Sequence, residues 1–196
     1  MDAQELSAEI LILAYAQGCF PMPAAENSQI IHWYRPDPRA IIPIDMIHVS
    51  QSMKRELRRR DISIRIDGAF EDVMRACAER PDTWISDEFV RAYGELHRLG
   101  FAHSLEVLRE GKMVGGIYGV TLGSAFFAES MFHHEKNMSK LALIRLAEHL
   151  LRQGYTLLEC QFLTDHLRSL GAVEIDASKY MDMLNDALKD AVSFVP

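Results

Sequence analysis

A chain of 196 residues, 48% apolar and 25% charged, suits one domain with a buried core, or one domain with a small appendage. No apolar run reaches membrane-spanning length, and the opening MDAQELSAEILILAYAQG places acids, not bases, ahead of its apolar stretch, so it does not read as a secretory leader. A net charge of −7 argues against broad non-specific nucleic-acid binding; three widely spaced cysteines without a CxxC argue against a disulfide framework or structural zinc and point to the cytoplasm.

Residues 5–17 predict a helix, capped by Ser7, with Ile10, Leu11, Leu13 and Ala14 as its apolar stripe. The following stretch is rich in proline, which forbids a long helix, and holds short strands near Ile30–Trp33 and Arg39–Ile42. The expected organisation is a small N-terminal unit over 1–38 and the main domain over 39–196. HVSQSMKRELRRR, 48–60, groups Lys54, Arg55, Arg58, Arg59 and Arg60 against the single acid Glu56. As a helix it stacks 54 over 58 and 55 over 59, with Met53 and Leu57 to dock it. That pattern suits a solvated surface helix or a phosphate-contacting patch.

A strand is predicted over ISIRI (62–66), a helix over 68–79, a loop at RPDTW, and a well-marked helix over 86–100 that opens on Ser86 and ends at Gly100. AHSLEVLR (102–109) and MVGGIYGV (113–120) form a hairpin, followed by a strand at SAFFAESMF (124–132). A helix opening at Asn137 or Ser139 carries Leu143, Leu146, Ala147 and Leu150 on one stripe. A strand (155–162), a short helix (164–171), a strand (172–175) and a last helix complete the chain.

The order β-α-α-β-β-β-α-β-α-β resembles the acetyltransferase-like (GNAT) fold. This is an α/β (α+β) architecture with a mixed sheet, flanking helices and a cleft between its parallel fourth and fifth strands. Glu129 then lies on the fourth strand, and Glu159 and Gln161, two apart, share a face of the fifth. A carboxylate buried among Phe126, Phe127, Met131 and Phe132 needs a partner or a task, and a cleft supplies one. The turn HHEKNMSK lacks the glycines that let a pyrophosphate approach a helix N-terminus, so coenzyme A is a poor fit. His133 and His134 face opposite ways in a strand and make poor joint metal ligands; Cys160 reads as core.

GCFPMP, HWYRPDPRA, HVSQSMKR, TWISDEFVRAYGELHRLGFAHSLEV, VGGIYGV, ESMFHHEKNMSK and CQFLTDHLRSLGAVEI span nearly the whole chain. In this order and spacing they resemble the bacterial leucyl/phenylalanyl-tRNA–protein transferases. The resemblance implies transfer of Leu or Phe, less efficiently Met, from aminoacyl-tRNA to proteins that begin with Arg or Lys. Such transfer marks them for N-end-rule degradation. It implies aminolysis of an activated ester by a cytoplasmic monomer, with no cofactor and no metal.

By the same resemblance, Glu159 and Gln161 are the catalytic pair. Glu159 stands where other members have Asp and is the better proton acceptor; Gln161 orients the amine. Glu129 holds the α-ammonium of the incoming amino acid, and Met131, Phe126, Leu146, Leu150 and Leu158 line its side-chain pocket. Strand alternation puts Phe126 opposite Glu129, so a β-bulge is needed for both to reach one site. Trp84, Tyr93 and Met22 fall at the terminal adenosine, Met22 where other members carry an aromatic, and Ala128 replaces a glycine. Lys54, Arg55, Arg58 and Arg59 fall on the acceptor-stem patch. His103 and His166 read as hydrogen-bonding or packing residues.

Overall fold

The computed structural model describes residues 6–24, 27–81 and 83–195. Glu5, at the head of the first expected helix, and Asp82, in the RPDTW loop, lie outside them. Helix α1 (Ala8–Ala16) starts at Ser7, whose hydroxyl accepts from the Ile10 amide. Strands β1 (Phe20–Ala24) and β2 (Asn27–Tyr34) form an antiparallel ribbon apart from the main sheet. The sequence marked no strand at FPMPA, yet one forms there. Pro21 and Pro23 lie two apart, so their missing N–H groups face the same edge of β1, and the pairing with β2 runs in register from Phe20 to Pro23 before it shifts at Ala24.

The main sheet takes in β3 (Arg39–Ile41), β4 (Ile62–Ile66), β5 (Ala102–Arg109), β6 (Lys112–Leu122), β7 (Ala125–His133), β8 (Leu157–Glu159) and β9 (Val173–Ile175). Its order is β4-β5-β6-β7-β8-β3-β9, with one parallel pair, β7 with β8. That is the strand order and parallel centre expected of an acetyltransferase-like sheet, with one addition. Strand β3 inserts antiparallel between β8 and β9, pairing Ile41 with Glu159. Helices α3 (Phe70–Ala78), α4 (Asp87–Arg98) and α5 (Met138–Gln153) pack on the sheet, and α6 (Asp165–Arg168) and α7 (Ala177–Ala187) follow β8 and β9. Leu11, Tyr15 and Phe20 of the N-terminal segment share a core with Phe89, Tyr93 and Phe127. A second core, around α5, holds Leu141, Leu146 and Leu150 with Phe126 and Leu158.

Helix α2 covers only Gln51–Glu56, shorter than the basic run. Buried Met53 anchors it, and past Leu57 the chain turns toward β4, so the expected 55/59 stack does not form.

The β6–β7 pairing carries a bulge. Tyr118 faces Ser130 and Gly119 faces Ala128, which leaves Glu129 as the extra residue. Gly119 opposes it because nothing larger fits: a Cβ there would lie 2.2 Å from the Phe127 carbonyl oxygen and 2.4 Å from a Phe126 ring carbon. The strands must shift to admit a methyl, so Gly119→Ala is expected to cost about 1–3 kcal/mol, roughly 2–12 °C in melting temperature by calorimetry. An unchanged melting point would show that the strands part there without cost.

Candidate active site

The strands of the parallel pair separate soon after they meet. Their register runs Ala125–Leu157, Phe126–Leu158 and Phe127–Glu159 and then stops. Beyond it lies a cavity of about 240 Å³, lined by Ala128, Glu129, Ser130 and Met131 from β7 and by Cys160, Gln161 and Phe162 after β8. The expected strand over 155–162 ends at Glu159 because Gln161 adopts a left-handed backbone, φ 60°. A non-glycine residue in that region carries a strain that its surroundings must hold. They do so at three points. The Gln161 amide donates to Glu159 Oε1 at 2.6 Å, its carbonyl accepts from the Ala40 amide at 3.2 Å, and its side-chain Nε2 donates to Glu129 Oε1 at 2.9 Å.

Glu129, 8% exposed, is reached by the bulge and gripped by two tyrosines. Tyr15 donates to Oε1 at 2.6 Å and lies 2.5 Å from the Tyr93 hydroxyl. With its proton committed to Glu129, Tyr15 accepts from Tyr93, whose other acceptor is Glu129 Oε2 at 3.4 Å. Burial pushes the Glu129 carboxyl up to about 8; the Tyr15 bond pulls it down, and the charge of Glu159 adds to the rise. Burial beside this carboxylate likewise keeps both phenols protonated, as donors.

Glu159 is placed differently from its expected role. It has no exposed surface and does not line the cavity. Its Oε1 takes Arg39 Nε at 3.1 Å, and Arg39, 1% exposed, also donates to the Gly18 carbonyl at 2.6 Å and the Tyr180 hydroxyl at 3.2 Å. The guanidinium lies 4.2 Å from the Tyr180 ring centre. Burial raises the Glu159 pKa, with Arg39 and the Gln161 amide opposing. A carboxylate sealed against an arginine has no direct path to an amine in the cavity, so its reading as the direct proton acceptor is corrected. It reaches the site through the Gln161 backbone and through its charge on Glu129.

The expected side-chain pocket is also redrawn. Met131 lines the cavity, but Leu146, Leu150 and Leu158 are fully buried in the α5 core, and Phe126 packs 5.6 Å from the Phe194 ring. The anticipated bulge exists, yet it falls at Glu129, after Phe126, and cannot turn that ring. Ile117, Leu143 and Leu167 supply the apolar wall instead, and the Ala128 methyl narrows it. Of the adenosine residues, Tyr93 is fully buried as a partner of Glu129 and offers no ring face. Trp84 packs edge-on against Phe89 at 5.2 Å, and Met22 faces His32 across the ribbon; neither lines the cavity.

On the basic segment Lys54, Arg55 and Arg58 are exposed. Arg59 is bound to Asp61 through two bonds, of 3.0 and 2.8 Å, which hold the Asp61 carboxyl at about 2 and commit the guanidinium locally. Cys160 lines the cavity, but burial raises its thiol pKa, which leaves a poor nucleophile. Asp67, His97 and His103 form a cluster of metal-ligand types among the described residues. Its members already bond to one another and to the backbone: His103 binds Asp67 at 2.7 Å and the Gly100 carbonyl at 3.2 Å, and His97 binds the Ala102 carbonyl at 2.8 Å. His166 is half-buried beside Lys140 and His133, and burial lowers its pKa.

Tyr15 and Arg39 belong to the site without having been singled out in the sequence. Both left a signal. Tyr15 continues the buried stripe of α1 after Ala8 and Leu11, where a phenol needs a partner. Arg39 opens the apolar RAII, where a charge needs one more.

The family model described as leucyl/phenylalanyl-tRNA protein transferase matches residues 41–185, and that of the same enzymes' N-terminal domain matches 4–37. The leucyl/phenylalanyl-tRNA–protein transferase of Herpetosiphon aurantiacus is 48% identical over 192 residues, covering 97% of this chain and 99% of its own. That of Cereibacter sphaeroides is 49% identical over 197 residues, covering 100% and 92%. Among solved structures, a ribosomal-protein-alanine N-acetyltransferase from Brucella melitensis aligns over 53% of this chain and 81% of its own, at 18% identity and a TM-score of 0.39.

Proposed function

Since the chain belongs to the leucyl/phenylalanyl-tRNA protein transferase family, we propose that it moves leucine or phenylalanine from aminoacyl-tRNA to the N-terminal amine of a protein. The acceptors are proteins beginning with Arg or Lys, Met is a slower donor, and the product enters N-end-rule degradation in the cytoplasm. No helix among the described residues is long and apolar enough to cross a membrane. The observation that carries the reading is one carboxylate, Glu129, at the mouth between parted strands, with Gln161 bonded to it and an apolar wall beside it.

The wall of Met131, Ile117, Leu143 and Leu167 takes an unbranched-at-Cβ or flat side chain, and Glu129 takes the α-ammonium. Because the Gln161 NH₂ end faces Glu129, its carbonyl oxygen is the free end, able to accept from the attacking amine and orient it. The new C–N bond forms as the ester C–O bond breaks; the amine loses a proton and the ribose oxygen gains one. An activated ester needs little more than position. Glu159 and Arg39 act by holding Gln161 in its left-handed turn, and Tyr15 and Tyr93 by holding Glu129. Trp84 and Met22 flank the adenosine, and Lys54, Arg55 and Arg58 meet acceptor-stem phosphates.

The test combines purified protein, Leu-tRNA or Phe-tRNA carrying a labelled amino acid, and peptides beginning with Arg, Lys or Asp. Label on the Arg and Lys peptides alone is expected. Gln161→Ala should lower kcat by about 10- to 100-fold while leaving KM for the tRNA within about threefold. Binding of aminoacyl-tRNA with no transfer to any peptide overturns the reading.

A further inference from the structure

The cavity holds a cation that aminolysis, as described so far, does not use. Of the residues lining it, Arg80 is the only basic one and Glu129 the only acidic one. Arg80 follows the C-terminus of α3 and enters from the β7 side, where its Nη2 donates to Ser130 Oγ at 3.3 Å, beside the bulge. That is the one hydrogen bond of its side chain among the described residues, and the residue is exposed. The remaining guanidinium donors point to no protein acceptor there. Nothing in the aminoacyl group calls for a positive charge: the ammonium takes Glu129 and the side chain takes the apolar wall. A cation left open at such a mouth suits an anion on the ligand itself. On the reading above, the nearest anion to the aminoacyl ester is the phosphodiester on the 5′ side of the terminal adenosine. A guanidinium fork matches two phosphate oxygens.

We propose that Arg80 binds the phosphodiester joining the aminoacylated adenosine to the preceding nucleotide, and so sets the depth at which the ester enters the cavity. This rests on the transferase reading. It makes Arg80 a positioning residue, separate from the exposed basic residues of α2.

Three donors of decreasing size test it: Leu-tRNA, the leucylated dinucleotide CpA with one phosphodiester, and leucyl-adenosine with none. Each is assayed with wild type, Arg80→Gln and Arg80→Lys, using an Arg-initial peptide. Arg80→Gln is expected to raise KM about tenfold or more for the two donors that carry a phosphodiester, and to change leucyl-adenosine by less than about threefold. Arg80→Lys should restore part of the loss, and the salt slope of tRNA binding should fall by about one in Arg80→Gln. Binding of uncharged CpA, measured calorimetrically, should weaken in the same proportion.

An equal loss on all three donors, or a fall in kcat on leucyl-adenosine, overturns the proposal and gives Arg80 to the tetrahedral oxyanion or to the fold. No loss on any donor also overturns it. Failure of wild type to transfer from any donor removes the transferase reading, and the proposal with it; success of wild type with unaltered Arg80→Gln removes the proposal alone.

Discussion

Glu129→Gln is expected to lower kcat/KM for Leu-tRNA by roughly 10²–10³-fold, the cost of removing one partner from a desolvated, hydrogen-bonded charge pair. The fold should survive. The amide oxygen can keep the bonds from Tyr15 and Gln161, and the amide nitrogen replaces Oε2 opposite Tyr93. pH gives the second readout. The Glu129 carboxyl is raised from 4.5 to about 8 by burial. Between those values the folded protein keeps a proton that the unfolded chain releases. This group's contribution to stability is therefore full below about 4.5 and lost as pH rises through 8. Glu129→Gln removes that loss, so its melting temperature should equal or exceed that of wild type above pH 8. An ammonium ligand needs the ionised carboxylate, so binding near pH 7 releases a proton, and KM for Leu-tRNA should fall as pH rises from 6.5 toward 8. A KM that keeps the wild-type pH profile in Glu129→Gln would remove Glu129 as the ammonium site.

Arg39→Met is expected to cost about 3–5 kcal/mol of stability, because it leaves Glu159 buried without its cation. For a chain of this size that is roughly 6–20 °C in melting temperature. The double variant Arg39→Met with Glu159→Met replaces the pair by apolar groups of similar length and should recover most of that loss. It should not recover transfer, since the Gln161 amide loses the acceptor 2.6 Å away that holds its left-handed backbone. Stability regained without activity separates a positioning role from a merely structural one. Full activity in the double variant would show that Gln161 keeps its place without the pair.

Local patterns carried much of this. Ser7, Ser50 and Ser86 each open a helix, as the sequence indicated for two of them, because a hydroxyl that accepts from the third amide is a local device. The alternation of β4 and the hydrophobic stripe of α5 marked elements whose chain order resembles the acetyltransferase-like fold, and that resemblance implied the parallel centre formed by β7 and β8. Glu129 announced itself as a carboxylate in an apolar run, for burial without a partner is costly whatever the fold.

What escaped the sequence is long-range. The bulge at Glu129 lies across from Gly119 of β6, where the close approach leaves no room for a Cβ, and a strand's own letters do not carry its neighbour's register. Arg39 and Glu159 are separated by 120 residues and meet only because β3 inserts beside β8. Leu146, Leu150 and Leu158 resemble pocket residues in type, but depth behind the wall depends on how α5 seats on the sheet. Composition and spacing thus determined which elements form and that a carboxylate sits in an apolar run; three-dimensional packing alone decided which acid faces the cavity and which is neutralised by arginine, because desolvation and charge pairing are set by distances between strands that sequence separation does not encode.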